Sequence, residues 1–359
     1  MAIPPSPRGR GAQSGTLSTR FALPAREADG DWLDARGDVD GPLPKLRTTV
    51  TEEAARTILT RNTSPDVPFD RSVNAYRGCE HGCIYCYARP THAYLDLSPG
   101  LDFETQLFAK PEAARLLRRA LARRGYVPAP IAMGTNTDPY QPIEGRYRLT
   151  RKILELCLET RHPVTITTKS DRVLHDLDVL SELARHRLVA VALSVTSLDP
   201  ALSRSLEPRA AAPAKRLAAL GTLAAAGVPT HVNVSPIIPA ITEDWIERIL
   251  EAAAAQGVPS ASWILLRLPH EVAPLFREWL AVHFPDRADK VMNLVQSIRG
   301  GRDNDSSFVT RMKPTGVWPD LIRARFRGMC QRLGLNENSV DLDCSQFRPP
   351  ISNGQLSLF

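Results

Sequence analysis

Three cysteines lie within eight residues in the stretch Asn74-Ala75-Tyr76-Arg77-Gly78-Cys79-Glu80-His81-Gly82-Cys83-Ile84-Tyr85-Cys86-Tyr87. Their C-x3-C-x2-C spacing directly follows an apolar segment that predicts a strand. Gly78 and Gly82 allow the loop to curl so that three thiolates converge, and soft sulfur ligands favour an iron-sulfur cluster. Three ligands leave one iron of a four-iron cluster without a protein thiolate. An open iron is a position at which a small molecule can bind the cluster.

A zinc site is the alternative interpretation of the same three cysteines. Zinc also takes three thiolates and one imidazole, and His81, His92 or a distant cysteine is the candidate fourth ligand. Structural zinc usually takes its ligands from two separated knuckles of the C-x2-C kind. The spacing therefore favours the cluster.

The composition is typical of a globular protein, with 359 residues of which 43% are hydrophobic. Six cysteines are too few for a disulfide framework, and their bunching indicates metal binding in a reducing compartment, so we expect a cytoplasmic protein. The sequence shows neither an export signal nor an apolar run long enough to span a membrane. The net charge of +6 suits an acidic partner such as nucleic acid, although an arginine-rich background explains part of it.

Beyond Arg61, short apolar runs alternate with amphipathic segments, as in repeated βα units around a parallel sheet. Strands are predicted at 71–76, 129–134, 163–168, 188–195, 230–235 and 260–266. Helices are predicted at 111–124, 147–161, 171–186, 213–226 and 242–256. Six such units predict an α/β fold, an open partial (β/α)6 barrel rather than a closed barrel of eight units.

The same pattern divides the chain into four parts. Residues 1–48 lack periodicity and predict a flexible N-terminal arm, because they cannot bury enough apolar surface to offset their ordering entropy. Residues 49–268 form the expected core, and 269–348 form a helical, basic C-terminal extension. Residues 349–359 are expected to be a flexible tail.

The cysteine spacing, with an aromatic residue just before the last cysteine, resembles the signature of the radical S-adenosylmethionine (SAM) superfamily. More narrowly, residues 72–335 resemble its DNA-repair-photolyase-like branch, the relatives of spore photoproduct lyase. This narrower resemblance rests on the segments 77–87, 134–144, 167–170, 207–209 and 235–239. It implies a 4Fe-4S cluster on Cys79, Cys83 and Cys86, SAM on the open iron, and reductive cleavage of SAM to methionine and a 5′-deoxyadenosyl radical.

Polar residues lie at the predicted carboxyl ends of the strands, where parallel βα folds bind their ligands. Asn136 and Asp138 follow the second strand, and the resemblance implies that they hold the SAM amino group and ribose. Lys169 follows the third strand, where the branch places a lysine on the SAM carboxylate. Ser194 closes the fourth strand and Asn233 lies in the fifth, so both are expected to face the cofactor or the substrate.

Other roles remain open for several of these residues. Asp138 also suits a turn before Pro139. Glu207 and Arg209 form either a polar clamp on SAM or an ion pair ahead of the next helix. Tyr85 and Tyr87 flank the last cluster cysteine, where the resemblance implies packing near the adenine, with hydrogen relay as a further role.

The sequence departs from the lyase relatives at their hydrogen-donating cysteine. That residue lies between the cluster motif and the helix after the second strand, and here no cysteine occurs from Tyr87 to Leu156. Cys157 falls in an apolar pattern and is predicted to be core. Cys330 or Cys344 would have to substitute, so the same route of spore photoproduct repair is not expected.

Two further segments indicate partners. The C-terminal third carries clustered basic residues that can neutralise phosphates, namely Arg299, Arg302, Arg311, Lys313, Arg323, Arg325 and Arg327. The chain ends Gln355-Leu356-Ser357-Leu358-Phe359, which resembles the peptide by which bacterial polymerases and repair proteins dock on the β sliding clamp. A glutamine and the apolar anchors Leu356, Leu358 and Phe359 on a tether suit a preformed groove. Alternatively, the tail folds back over the open barrel.

Three hypotheses follow. The first is a lyase-like radical SAM enzyme acting on DNA or a nucleotide-derived substrate, supplied by a reducing electron donor. The second keeps the radical chemistry but directs it at a protein, RNA or small metabolite. The third is a non-catalytic, metal-stabilised nucleic-acid-binding protein.

Overall fold

The structure is a computed structural model that describes residues 9–21 and 46–350. Ten strands occur in these ranges: β1 Thr49–Glu52, β2 Leu59–Arg61, β3 Arg71–Val73, β4 Tyr76–Arg77, β5 Gln106–Ala109, β6 Ile131–Met133, β7 Val164–Thr168, β8 Val189–Ser194, β9 Thr230–Ile237 and β10 Ala261–Leu265.

Seven of the strands form the main sheet, in the order β10-β9-β8-β7-β6-β3-β2. The first six pair in parallel, and β2 is antiparallel to β3 at the edge. Neighbouring parallel strands are consecutive βα units, and each overlaps a strand predicted from sequence. The edge strands β10 and β2 do not pair with each other in the described chain. The expected open partial (β/α)6 barrel is therefore confirmed.

Eleven α-helices occur in the same ranges: α1 Asp102–Thr105, α2 Ala113–Leu121, α3 Glu144–Tyr147, α4 Leu149–Glu159, α5 Leu177–Arg185, α6 Pro200–Leu206, α7 Pro213–Ala225, α8 Ile246–Ala255, α9 Val272–His283, α10 Ala288–Ser297 and α11 Val317–Leu333. Local chemistry sets several helix starts. At α6, Asp199 accepts a hydrogen bond from the Ala201 amide at 2.8 Å and Pro200 occupies the first turn, both of which favour initiation.

The outer face of the sheet carries branched apolar side chains. Val164, Ile166, Val189, Val191, Leu193 and Val232 pack in one core with Leu183, Leu220 and Leu250 of the surrounding helices. Strands buried beneath helices favour such residues.

The inner face carries small and polar side chains in three rows across the sheet. The strand registers align Ala132, Thr165 and Ala190 in the first row, Thr167, Ala192 and His231 in the second, and Ser194, Asn233 and Ser262 in the third. Closed barrels usually fill this space with bulky branched residues. Seven of the nine side chains here remain partly exposed, so the interior is accessible from outside.

A second sheet, which the sequence analysis did not predict, supports the cysteine loop. Its order is β1-β5-β4, and β4 runs directly into Gly78 and Cys79. The Cys79 amide donates to the Phe103 carbonyl at 2.9 Å, just before β5 begins. The small sheet therefore fixes the point at which the loop leaves the barrel.

Residues 9–21 are packed against the core, so the prediction of a flexible arm over 1–48 is wrong for this part. Ala12 is fully buried in the same apolar cluster as Cys83 and Ile84. Ser14 Oγ donates to Glu278 at 2.8 Å, and Arg20 Nε donates to Glu271 at 2.6 Å. The rest of the expected arm before β1 lies largely outside the described residues.

The C-terminal extension contains α9, α10 and α11 and then runs beneath the barrel. Asn336 pairs with both backbone groups of Ala261, accepting at 2.8 Å and donating at 3.0 Å. The Arg348 amide donates to the Thr160 carbonyl at 2.8 Å, near the start of β7. Residues 351–359, with the predicted clamp peptide, lie outside the described ranges. None of the helices in the described parts of the chain combines the length and apolar character needed to cross a bilayer.

Candidate functional site

The cysteine loop makes two tight turns after β4. The Gly82 amide donates to the Cys79 carbonyl at 3.4 Å, and the Cys86 amide donates to the Cys83 carbonyl at 3.2 Å. Gly82 has φ of +67°, and a Cβ there would lie 2.8 Å from Glu104 Oε2. Only glycine meets both demands without strain.

The three thiols are largely shielded from solvent, yet polar and charged groups lie close to them. Cys79 and Cys83 are 7% and 9% exposed, and Cys86 is partly buried. Burial raises the pKa of all three thiols. Backbone amides act in the opposite direction on Cys79 and Cys86, and the charges of Lys169 and Arg216 do so on Cys83. Hydrogen bonds to the sulfur atoms and exclusion of solvent are the features by which a protein tunes an iron-sulfur cluster.

The two histidines weighed as zinc ligands have other partners. His81 Nδ1 lies 3.2 Å from Asp138 Oδ2, and His92 Nε2 lies 2.9 Å from the Gln106 carbonyl. Within residues 9–21 and 46–350, no three His, Cys, Asp or Glu side chains are grouped so as to hold a single metal ion. Thiolate ligands of a four-iron cluster bind different irons and need not meet at one point. The residues fit the cluster better than zinc.

A buried ion pair that the sequence analysis missed holds the cysteine loop. Arg89 Nη2 lies 2.5 Å from Glu104 Oε1, and both side chains are fully buried. Arg89 also donates to the carbonyls of Cys83 at 2.9 Å and Gly82 at 3.1 Å. A buried guanidinium with a carboxylate and several carbonyls has its charge and its hydrogens satisfied.

Glu104 also fastens the N-terminal segment to the loop. It accepts hydrogen bonds from the amides of Gly11 and Ala12, both at 2.9 Å. A Cβ on Gly11 would lie 1.7 Å from the Gly82 carbonyl oxygen, so the two backbones meet at a distance that only glycine permits. Residues 9–21 thus cover one side of the cysteine loop.

Glu207 is the centre of a second buried network, beside Cys83. It accepts from Thr196 Oγ1 at 2.7 Å and from the Tyr85 hydroxyl, and it pairs with the fully buried Arg216. Burial alone raises the Glu207 pKa, but the charges of Arg216 and Lys169 outweigh burial and lower it to about 2. The carboxylate is therefore charged and fixes the Tyr85 hydroxyl.

Lys169 lies at the edge of this network. Its Nζ is 4.0 Å from Glu207 Oε1 and 5.8 Å from the centre of the Tyr85 ring, and its side chain is 16% exposed. Its charge also acts on Cys83 and Cys86. The predicted residues Cys83, Tyr85, Lys169 and Glu207 are thus brought together at the carboxyl ends of the strands.

Asp138 is engaged within the protein. Its carboxylate accepts from Thr168 Oγ1 at 2.7 Å and from the amides of Tyr140 and Lys169, both at 2.8 Å, besides its contact with His81. Burial raises its pKa, but His81 and the hydrogen bonds lower it to about 2. These contacts match the turn interpretation of Asp138 and tie the cysteine loop to β7; its predicted contact with SAM stays a prediction.

Glu207 and Arg209 do not pair with each other, so that alternative is wrong. Arg209 Nη2 lies 3.1 Å from Glu80 Oε1 instead, and Glu80 also accepts from Thr48 Oγ1 at 2.6 Å. Arg209 is therefore bound to the cysteine loop itself. Glu80 lies inside the quoted motif, yet its spacing gave no signal of this role.

The remaining predicted residues line the mouth of the barrel. Tyr87 is 53% exposed, and its hydroxyl donates to the Thr135 carbonyl at 2.5 Å. The Asn136 amide donates to Asn74 Oδ1 at 3.0 Å. Ser194 and Asn233 are partners in the row nearest the carboxyl ends, and Asn233 Oδ1 accepts from Ser262 at 2.7 Å.

The other cysteines lie away from the loop. Cys157 is fully buried in the main core, as predicted. Cys330 is buried on α11, where its sulfur is 3.7 Å from Asn336 Nδ2 below β10. Cys344 follows Asp343, whose amide donates to the Arg187 carbonyl just before β8 begins. None of these three cysteines lies at the mouth.

Fold and site together define a class: a partial (β/α)6-barrel protein with a three-thiol loop at the carboxyl ends of its strands. Residues 73–253, about half of the chain, match the family model described as the radical SAM superfamily. An uncharacterized protein of Mycobacterium tuberculosis is 39% identical over 230 residues, which cover 64% of this chain and 68% of that protein. One from Methanocaldococcus jannaschii is 27% identical, covering 62% and 79% respectively. The chain belongs to the radical SAM superfamily.

Solved structures with a similar fold include spore photoproduct lyase. Its complex with dinucleoside spore photoproduct aligns with a TM-score of 0.56 at 18% identity, covering 80% of each chain. A variant of the same enzyme aligns with a TM-score of 0.57 at 17% identity, again over 80% of each chain. At this identity the likeness concerns the fold.

Membership in the superfamily defines the enzyme class and its cofactors. Radical SAM enzymes use a 4Fe-4S cluster and SAM, and this chain is a radical SAM enzyme. The third hypothesis, a non-catalytic binding protein, is therefore not retained.

Proposed function

We propose that this enzyme is a lyase-like radical SAM enzyme acting on DNA or a nucleotide-derived substrate, with Cys79, Cys83 and Cys86 as its cluster ligands. The observation that carries the proposal is the grouping of buried thiols with a lysine at the mouth of an accessible, polar barrel. When bound, the cluster and SAM supply a carbon-centred radical able to remove hydrogen from an unactivated C–H bond. The protein's residues bind, orient and exclude water.

Each side chain at the mouth has a role that its contacts support. Lys169 offers a partly exposed cation beside the thiols and suits the SAM carboxylate. Tyr85 is fixed by Glu207 and provides a rigid apolar wall, so we assign it a packing role. Tyr87 is half exposed beside the last cluster cysteine, so we assign it the contact with substrate and any hydrogen relay.

The remaining predicted cofactor contacts are of two kinds. Ser194 and Asn233 lie in the inner row nearest the carboxyl ends, and Asn136 follows β6 at its carboxyl end. We assign these three residues to the ribose and amino groups of SAM. Asp138 and Arg209 hold the cysteine loop through His81 and Glu80, so we propose that they position the cofactor indirectly.

Three features support a nucleic acid substrate. The sequence pI is about 9.1, which favours polyanions. The inner rows of small side chains leave room for an inserted group. The fold is similar to that of spore photoproduct lyase, which was solved with dinucleoside spore photoproduct. Since Cys157, Cys330 and Cys344 all lie away from the mouth, hydrogen return through a cysteine is not part of the proposal.

The test is anaerobic reconstitution with iron and sulfide, followed by dithionite and SAM, with 5′-deoxyadenosine measured by chromatography. Wild type and Cys157→Ala should both form 5′-deoxyadenosine, because Cys157 is core. Cys83→Ala should form none. Product from Cys83→Ala, or none from iron-loaded wild type, would refute the ligand assignment.

The substrate is tested next by adding ultraviolet-irradiated and undamaged DNA to the wild-type reaction. Release of 5′-deoxyadenosine should rise with the irradiated DNA, and deuterium from labelled thymidine should enter it. No effect of any nucleic acid on product or binding would instead favour a protein or small-metabolite substrate.

We further propose that Gln355, Leu356, Leu358 and Phe359 dock the enzyme on the β sliding clamp. Calorimetry of the full chain with purified clamp should give a binding signal that is lost when residues 355–359 are deleted. The deletion should leave 5′-deoxyadenosine formation unchanged. Equal clamp binding by both chains would end this part of the proposal.

We also propose that an intracellular reductant supplies the electron that dithionite supplies in the assay. The free cysteines suit a cytoplasmic setting, where thiols are kept reduced.

A further inference from the structure

Most buried arginines of the described chain have a carboxylate partner. Arg89 pairs with Glu104, Arg216 pairs with Glu207, and Arg71 Nε lies 2.7 Å from Asp70. Arg10 has no ion pair among the described residues, but it donates to the carbonyls of Glu104 and Leu46 and to Thr48 Oγ1. Two arginines near the mouth have, in the described part of the chain, neither a carboxylate nor such a set of acceptors. Within residues 9–21 and 46–350, no carboxylate lies within 4.0 Å of Arg267 or Arg299.

The hydrogen bonds of these two residues do not neutralise them. Arg299 is 5% exposed, and its Nη2 donates to the Leu266 carbonyl at 2.6 Å. Arg267 Nη1 has only the Met312 sulfur, at 3.3 Å, which is a weak acceptor. The Nε atoms of both side chains are buried and have no partner among the described residues. Neither charge is paired directly with a carboxylate of the described residues, although Asp305 acts on both at longer range.

Their place in the fold is the gap between the first and last strands of the barrel. Arg267 follows β10 at its carboxyl end, and its charge acts on Tyr87 beside the cysteine loop. The neighbouring Arg311 crosses the gap, since its Nη2 lies 2.7 Å from Asp66 in the loop before β3. Arg311 is therefore paired directly with a carboxylate, and Arg267 and Arg299 are not.

This arrangement costs free energy in the ligand-free protein. Burial lowers the Arg299 pKa to about 10, and the nearby charge of Arg267 contributes. Arginine does not shed its proton in proteins, so the repulsion persists until an anion arrives. The planar guanidinium matches a phosphate in two parallel hydrogen bonds.

We infer that Arg267 and Arg299 form an anion site that takes a phosphodiester group of the nucleic acid substrate. Arg267, which is partly exposed, makes the contact. Arg299 supports it by holding the Leu266 carbonyl and adding positive charge. The inference rests on the proposed nucleic acid substrate and names which of its groups is bound here. A carboxylate of SAM has similar chemistry, and the experiment separates the two sources.

The experiment measures binding of a fluorescein-labelled, single-stranded 12-nucleotide DNA to the reconstituted enzyme by anisotropy, between 50 and 200 mM salt. Arg267→Gln should weaken binding about tenfold and reduce the slope of log affinity against log salt by about 0.7. Arg267→Lys should recover part of the slope. The matched control is Arg124→Gln, an exposed arginine beyond the end of α2 that should bind as wild type does.

A second readout is formation of 5′-deoxyadenosine without substrate as the SAM concentration is varied. It should be the same in wild type and Arg267→Gln, with folding checked by circular dichroism. A higher SAM requirement with unchanged DNA binding would assign the anion to SAM and overturn the inference.

Two other outcomes separate this site from the proposed function. Wild-type DNA affinity in Arg267→Gln, with normal salt dependence, would overturn the anion site and leave the nucleic acid substrate standing. Absence of DNA binding by wild type at 50 mM salt would overturn both.

Discussion

Two pairs of arginines differ in what surrounds them. Arg89 and Arg216 lie beneath the cysteine loop and the barrel rim, fully buried on Glu104 and Glu207. Arg267 and Arg299 lie in the gap between the first and last strands, with no carboxylate partner in the described chain. An arginine whose charge is matched inside the protein serves the architecture. An arginine left unmatched at the mouth of a site indicates a ligand.

The largest effect should come from removing the carboxylate of a buried ion pair. Glu104→Gln keeps the shape of the side chain but leaves Arg89 buried without a counter-charge, so the free energy of unfolding should fall by about 3–5 kcal/mol. Urea unfolding of the reconstituted enzyme, followed by tryptophan fluorescence, measures the change. The control is Glu112→Gln, whose partner Arg115 is exposed, with an expected loss below about 1 kcal/mol. Similar losses of unfolding free energy in both variants would show that the buried ion pair contributes no more than the exposed one.

A smaller effect concerns His162, a buried histidine that, unlike arginine, can lose its proton and become neutral. His162 is fully buried, with Nε2 2.8 Å from the Tyr126 hydroxyl and Nδ1 2.9 Å from the Pro163 carbonyl. Burial, aided by the charge of Arg71, lowers its pKa to about 4. Between an unfolded pKa of about 6.5 and this folded value, the unfolded chain binds the extra proton.

The fold should therefore lose about 1.4 kcal/mol through His162 as the pH falls from about 7.5 to 5.5. Urea unfolding at the two pH values measures the loss in wild type. His162→Gln should lack this part of the pH dependence, whatever its stability at pH 7.5. Identical pH profiles for the two proteins would show that His162 is not held neutral.

The smallest effect should come from removing a buried charge that has no carboxylate partner. Arg299→Met deletes a buried guanidinium that has no carboxylate partner, so the lost bond to Leu266 is offset by relief of burial and repulsion. The free energy of unfolding should stay within about 1 kcal/mol of wild type. A loss as large as that of Glu104→Gln would mean that Arg299 is structural, which would remove the distinction between the two pairs.

The sequence predicts the barrel because its signals are local. Each parallel strand carries its own apolar outer face, and each is followed by an amphipathic helix, so β7 and β8 are visible from their own residues. The cysteine spacing is equally local. The predicted grouping of Lys169 and Glu207 near Cys83 followed from the rule that parallel strands end at one edge.

The sequence does not predict contacts that are long-range and made by the backbone. Glu104 receives amides that lie 92 and 93 residues away, from a segment without any periodicity. The partner of Glu207 is Arg216 rather than the nearer Arg209, since the turn after α6 directs their side chains apart. Arg267 is a single arginine after a strand, and the absence of a counter-charge is a property of the folded chain alone.

The packing of residues 9–21 has a consequence for the order in which the protein is made. This segment leaves the ribosome before Glu104, Glu271 and Glu278, which it binds in the folded protein. Its docking cannot be complete before α9 has been synthesised. Until then the N-terminal cover of the cysteine loop lacks its contacts to Glu271 and Glu278.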